Sequence, residues 1–175
     1  KLTDSEADSE GEYSGAAAIY GASGGVMESA LRSTARILTG QELPKIDLEE
    51  VRGMKGIKRA TIKIGEREVK VAVVATARNA RNILEEIKKG RADYDYIEFM
   101  ACPGGCIGGG GQPLTSTHAI IKKRIAGLYD IDQKKNLRRA HENPVVQEFF
   151  KYLATKPSLA QEILYTNYSA KKKFE

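Results

Sequence analysis

Only two of the 175 residues are cysteine, Cys102 and Cys106, and they stand four apart. A disulfide between them would close a very small loop, and cross-links gain most from long ones. A disulfide framework is therefore excluded, and the pair reads as thiol chemistry in a reducing, cytoplasmic compartment. Long hydrophobic runs are also missing. No apolar stretch approaches the roughly 18 residues that a membrane-spanning helix needs, and no charged-then-apolar leader is visible at the start of the sequence. The phosphate-binding signatures are absent too: Gly21, Gly24 and Gly25 space neither as GxGxxG nor as GxxxxGK[ST]. No internal repeat is visible.

Charge is plentiful but uneven. Residues 1–50 hold four basic and ten acidic side chains, whereas residues 51–175 hold 24 basic and 13 acidic ones. A pI of about 9.1 invites a nucleic-acid reading. The basic residues are spread over several elements, however, and are not interleaved with aromatics. Lys171, Lys172 and Lys173 form the one tight cluster and read as a solvated tail. No nucleic-acid partner is expected. The hydrophobic share of 41% and charged share of 29% are ordinary for a globular domain.

Residues 1–14 are acidic and polar and predict an exposed segment. Gly15–Tyr20 is small and apolar and suits a short buried strand. A glycine-rich turn follows at 21–25, with Ser23 as candidate N-cap of a helix over 25–39 that stops at Gly40. Residues 57–64 alternate apolar with charged, placing Ile57, Ala60, Ile62 and Ile64 on the buried side of a strand. After a hairpin-sized turn at 65–68, residues 69–76 are nearly continuously apolar and predict a central strand. A helix over 79–89 ends at Gly90, and 94–100 predicts another buried strand. Strand, helix, strand in this order predicts a right-handed βαβ crossover and an α/β fold, with the sheet flanked by helices. Residues 117–128 and 134–141 read as basic helices. Asn143-Pro144 starts another, and Pro157 opens a last short one.

The strongest chemical signal lies in residues 100–113, where six of fourteen residues are glycine. Core packing gives no reason for that. Thiolates are soft ligands suited to iron–sulfur clusters and zinc. Backbone without Cβ approaches a bulky anionic cluster closely and turns N–H groups toward its sulfurs, which tunes its potential. Plainer readings stand beside this one: cysteines buried for structure, a zinc site completed by His118 and His141, or a redox-active disulfide. Met100 is more often a core filler than a cofactor contact; its place two residues before Cys102 makes it a candidate.

The run Phe99-Met100-Ala101-Cys102-Pro103-Gly104-Gly105-Cys106-Ile107-Gly108-Gly109-Gly110-Gly111-Gln112-Pro113 resembles the third signature of the [FeFe]-hydrogenases, the iron-only hydrogenases. GAAAIYGASGGVMESALR, from Gly15 to Arg32, resembles that family's turn and helix near its active site. Asn143 to Tyr168 resembles its small-subunit-like tail. The resemblance implies a C-terminal half of the catalytic domain over 1–132, followed by a helical, wrap-around tail over 133–175. It also implies reversible H2 oxidation and proton reduction at an H-cluster, a 4Fe–4S cubane bridged to a two-iron unit with CO, cyanide and a dithiolate. By position Cys102 matches a cubane ligand and Cys106 the ligand that bridges to the two-iron unit. Met100 matches a residue packing on that unit, and Gly21 a backbone position lining its pocket. Tyr20 stands where phenylalanine is commoner.

The family's other two signatures, TSCCPxW and MPCxxKxxE, do not occur in this sequence. The implied partner is therefore the N-terminal half of the hydrogenase domain, on the same natural chain or a separate one. A ferredoxin or other redox partner is implied as well. The alternatives are an iron–sulfur assembly role of the Nar1 type, which lacks hydrogenase activity, and a hydrogenase-like domain that senses H2 for a signalling partner.

Overall fold

A computed structural model describes residues 11–169. The expectations for the acidic start through residue 10 and for the lysine cluster at 171–173 lie outside the described residues.

Among the described residues, six helices, α1 (Gly15–Ala18), α2 (Gly25–Thr39), α3 (Ala77–Lys88), α4 (His118–Lys134), α5 (Pro144–Ala154) and α6 (Pro157–Leu164), accompany three strands, β1 (Ile57–Ile64), β2 (Arg67–Ala75) and β3 (Tyr96–Met100). The sheet order is β1-β2-β3, with β1 antiparallel and β3 parallel to β2. A two-residue turn at Gly65-Glu66 closes the β1–β2 hairpin, with Gly65 at φ +61°. α3 makes the crossover from β2 to β3.

β2 is central and covered on both faces, which is why its sequence is apolar almost throughout. On one face Val71 and Val73 meet Met27, Leu31 and Ala35 of α2. On the other, Ala72 and Val74 meet Ile83 of α3. β1 corrects the expected alternation. Ala60, Ile62 and Ile64 face the α2 side, but Ile57 packs on the α3 side. Side chains alternate with a period of two, so the residue that shares the inner face with 60, 62 and 64 is Lys58, and it is buried.

Gly15–Tyr20 is not a strand. Ser14 Oγ accepts the N–H of Ala17 (3.3 Å) and caps α1, and a 3-10 turn follows at Ile19–Gly21. Three consecutive alanines favour helix. Gly15 lies so close to Asp132 of α4 that a Cβ would strike it. Residues 134–141 are not an α-helix either; α4 ends at Lys134 and only Ala140–Glu142 forms a 3-10 turn. The intervening segment is instead bound across the chain. Leu137 C=O accepts the Gly15 N–H (2.7 Å) and Arg138 C=O accepts from Arg32 Nη1 (3.0 Å). Downstream, Asn143 caps α5 through the Val145 N–H (3.0 Å), with Pro144 in its first turn.

A buried ion network ties α2 to α4. Arg32 is fully buried and donates twice to Asp132 (2.9 and 2.8 Å) and once to Glu28 (2.8 Å). Arg52 also holds Glu28 (2.7 and 2.6 Å), and Arg138 joins Asp132 (2.6 Å) to Asp47 (2.8 Å). No helix among the described residues is long and apolar enough to cross a membrane.

Candidate functional site

The cysteine loop follows β3 directly. Met100 is the last residue of that strand; it is half-buried, and its C=O accepts the Thr76 N–H (2.7 Å). The chain then curls: Gly105 N–H donates to Cys102 C=O (3.1 Å), Gly108 N–H to Gly105 C=O (3.0 Å) and Gly109 N–H to Cys106 C=O (3.0 Å). Both thiols are free, Cys102 half-buried and Cys106 exposed.

Four of the loop's glycines are required by close approach, among them Gly108, whose Cβ would lie 2.2 Å from Pro103 O. A Cβ on Gly109 would lie 2.7 Å from Cys102 Sγ, so any side chain there would press on the sulfur. A Cβ on Gly104 would lie 2.6 Å from Ile121 of α4. Gly105 has φ +103°, and its Cβ would lie 2.5 Å from Gly21 O and 2.6 Å from Ser23 N. The two glycine-rich segments of the sequence are thus in contact, and Ser23 N–H donates to Gly104 C=O (2.9 Å). Gly21 is half-buried; a Cβ there would lie 3.0 Å from Leu128 and 3.3 Å from Ile107. Its neighbour Tyr20 turns to a separate apolar cavity of about 710 Å³ between α2 and α5.

We expect Gly105→Ala to cost at least about 1–3 kcal/mol from the left-handed backbone alone, with the clash added. Gly110→Ala, where a Cβ meets nothing within 4 Å, should stay within about 0.5 kcal/mol. Urea unfolding of the two variants checks the contrast.

Three charged residues that hold this region escaped the sequence reading. Arg124 of α4 donates to Ile107 C=O (2.8 Å) and Pro113 C=O (3.3 Å), pinning both ends of the loop's second half. Glu98 of β3 caps α2 from a distance, accepting the N–H groups of Gly24 (2.6 Å) and Met27 (2.7 Å). Ser23 is therefore not the cap; Gly24, at φ +98°, occupies that position. A carboxylate at a helix N-terminus also meets the favourable end of the helix dipole. Lys58 donates to the C=O groups of Ser23 (2.9 Å) and Gly53 (2.8 Å). Burial pushes its ammonium down to about 8, and the Glu98 carboxylate opposes that shift. The parity of Lys58 with Ala60, Ile62 and Ile64, and a lone acid inside an apolar strand, were the signals for these two.

The histidines do not join the cysteines. His118 is exposed at the start of α4. His141 contacts Ser33 Oγ (3.0 Å) and Glu42 (3.1 Å). Among the described residues the His, Cys, Asp and Glu ligand atoms that gather as a trio within 4.8 Å are those of Glu42, His141 and Glu142, and neither cysteine takes part. Arg139 already pairs with Glu42 (3.0 Å) and with Glu142 (3.0 Å) there.

Soft thiolates, both free, on a side-chain-poor loop fit an iron–sulfur group by donor chemistry. Two thiolates provide half of the four that a cubane takes.

Comparison with known proteins agrees with this geometry. Residues 1–110 match the family described as "Iron only hydrogenase large subunit, C-terminal domain", and residues 118–171 match "Iron hydrogenase small subunit". The NADP-reducing hydrogenase subunit HndD of Solidesulfovibrio fructosivorans is 44% identical over 161 residues, covering 90% of this chain and 27% of that protein. The cytosolic iron-sulfur assembly component 3 of Rattus norvegicus is 30% identical over 159 residues, covering 87% of this chain and 32% of its own length. Among solved structures, the [FeFe]-hydrogenase HydA1 of Chlamydomonas reinhardtii aligns with a TM-score of 0.66 at 37% identity, over 85% of this chain and 45% of that one. The chain therefore spans about a third or less of these curated relatives. With its cysteine loop, its sheet and its C-terminal helices all matched, the chain belongs to the iron-only hydrogenase family.

Proposed function

We propose that this chain is the portion of an iron-only hydrogenase catalytic domain that supplies Cys102 and Cys106 to the H-cluster. The observation that carries the reading is two free thiols on one glycine-lined curl, with Gly109 held bare beside the Cys102 sulfur. In this reading Cys102 is a ligand of the cubane and Cys106 bridges to the two-iron unit. Met100, at the end of β3, packs against that unit, and Gly21 lines its pocket. When bound, the H-cluster supplies the reversible two-electron chemistry between protons and H2.

This chain's own residues hold and shape the site. Arg124 fixes the loop to α4, and Gly105 packs directly against the 21–23 segment. The remaining cubane ligands come from the N-terminal half of the hydrogenase domain. Electrons come from a ferredoxin or other redox partner in a cytoplasmic setting. Residues 1–132 serve as the catalytic half and 133–175 as the helical tail, which the bond from Arg32 to the Arg138 carbonyl ties to α2.

A second reading, an iron–sulfur assembly role without hydrogenase activity, is favoured by the 30% identity to an assembly component. One experiment separates the two. The chain is coexpressed with the missing cysteine-bearing half and the H-cluster maturation machinery, and the purified complex is examined by infrared spectroscopy. CO and cyanide bands are expected. Full iron loading without such bands would overturn the hydrogenase reading in favour of the assembly role.

A further inference from the structure

Lys58 and Glu98 are 6% and 5% exposed, and neither belongs to the buried ion network around Arg32. They stand on one row of the sheet, Lys58 opposite Val73 and Val73 opposite Glu98. Their charged ends meet a single peptide group. Lys58 Nζ donates to the Ser23 carbonyl (2.9 Å), and Glu98 Oε1 accepts from the Gly24 N–H (2.6 Å), the other end of the same amide. Lys58 also donates to Ser23 Oγ (3.3 Å) and the Gly53 carbonyl (2.8 Å), and Glu98 Oε2 accepts from Met27 N–H (2.7 Å).

One peptide earlier, Ser23 N–H donates to the Gly104 carbonyl, and the same 104–105 amide passes its N–H to the Cys102 carbonyl. Two runs of hydrogen bonds, joined through the Ser23 backbone, therefore link the two buried charges to the first cysteine. Hydrogen bonds to charged groups are roughly twice as strong as neutral ones. Burying an ammonium and a carboxylate is expensive unless each is fully bonded. A strand that needed stability alone would carry apolar residues at both positions.

We propose that Lys58 and Glu98 are a positioning pair that clamps the Ser23–Gly24 peptide and thereby fixes the curl of the Cys102–Cys106 loop and the field around whatever the thiolates hold. The second half of this statement rests on the hydrogenase reading; the first does not.

The test uses the full-length protein with Lys58→Met and Glu98→Gln, each in a metal-free and a holo preparation. In the metal-free protein, timed alkylation followed by mass spectrometry of the loop peptide should show half-buried Cys102 reacting at least about tenfold faster, the factor that one lost charge-assisted hydrogen bond corresponds to. Exposed Cys106 should change less than about twofold. In the holoenzyme, the cluster's midpoint potential should shift while iron content is kept, a result that loss of fold stability alone does not produce. An unchanged Cys102 rate and an unchanged potential in folded variants would overturn the clamp. If either variant fails to fold, Glu98→Asp, which keeps the charge but withdraws it from Gly24, decides by the same rate: faster alkylation supports the clamp and an unchanged rate overturns it. Faster Cys102 alkylation in a protein that never binds iron would sustain the clamp and defeat the hydrogenase reading. Normal iron binding with an unaltered rate would do the reverse.

Discussion

Cys106→Ser is expected to abolish H2 production and uptake, down to background, in the assembled domain. The predicted lesion is specific. An alkoxide or hydroxyl is a hard donor and a poor bridge between iron centres, whereas a thiolate is soft and polarisable. Loss of the CO and cyanide infrared bands should accompany the loss of activity, because the two-iron unit no longer docks. The protein itself should remain folded. Cys106 is exposed, and no part of the three core clusters includes it, so urea unfolding of the metal-free variant should match the parent within about 0.5 kcal/mol. A variant that keeps normal bands would remove Cys106 from the bridging role.

Arg32→Met should cost about 3–5 kcal/mol, the usual penalty for leaving buried carboxylates without their partner, out of a total of about 5–15 kcal/mol for a domain. The variant leaves Asp132 with Arg138 and Glu28 with Arg52 as their one charged hydrogen-bond partner each, Glu28 also keeping the Leu48 N–H. Adding Asp132→Leu should recover part of the loss by removing the stranded charge. The effect should also depend on pH. Burial by itself raises the Asp132 carboxyl, but hydrogen bonds from Arg32 and Arg138 outweigh it and hold the group below the usual carboxylate range. Asp47 is lowered in the same way by Arg138 and Arg52. A carboxyl with a depressed folded-state pKa contributes stability that is complete above its unfolded value, about 4, and is lost as pH falls through the folded value. The difference between parent and variant should therefore be constant from pH 8 to 5 and shrink below pH 4. A constant difference down to pH 3 would show that the network acts through packing and not charge.

The elements with strong local signals were legible. α2 has helical spacing, a glycine turn before it and Gly40 at φ +70° after it. β2 is apolar on both faces because two helices cover it. Asn143-Pro144 carries its own cap. The readings that failed were those where a distant partner outweighed local preference. Residues 134–141 have helical composition, but their backbone and arginines are claimed by Gly15, Arg32, Asp132 and Asp47. Ser23 has the chemistry of a cap, but a carboxylate 75 residues later in the chain takes that place, and the serine turns to Lys58 instead. The glycine turn at 21–25 and the cysteine loop were each visible. Their contact was not, because nothing in either segment encodes the other's position.

Taken alone, the order of residues was enough to identify the two thiols, the bare glycines around them, the α/β order of elements and the family these belong to, since each depends on neighbours within about fifteen positions. Only the folded chain decided which charges are buried and what they hold. Lys58, Glu98, Arg32 and Asp132 are buried where a charge survives only with full hydrogen bonding, and each holds at least one partner 35 to 106 residues away.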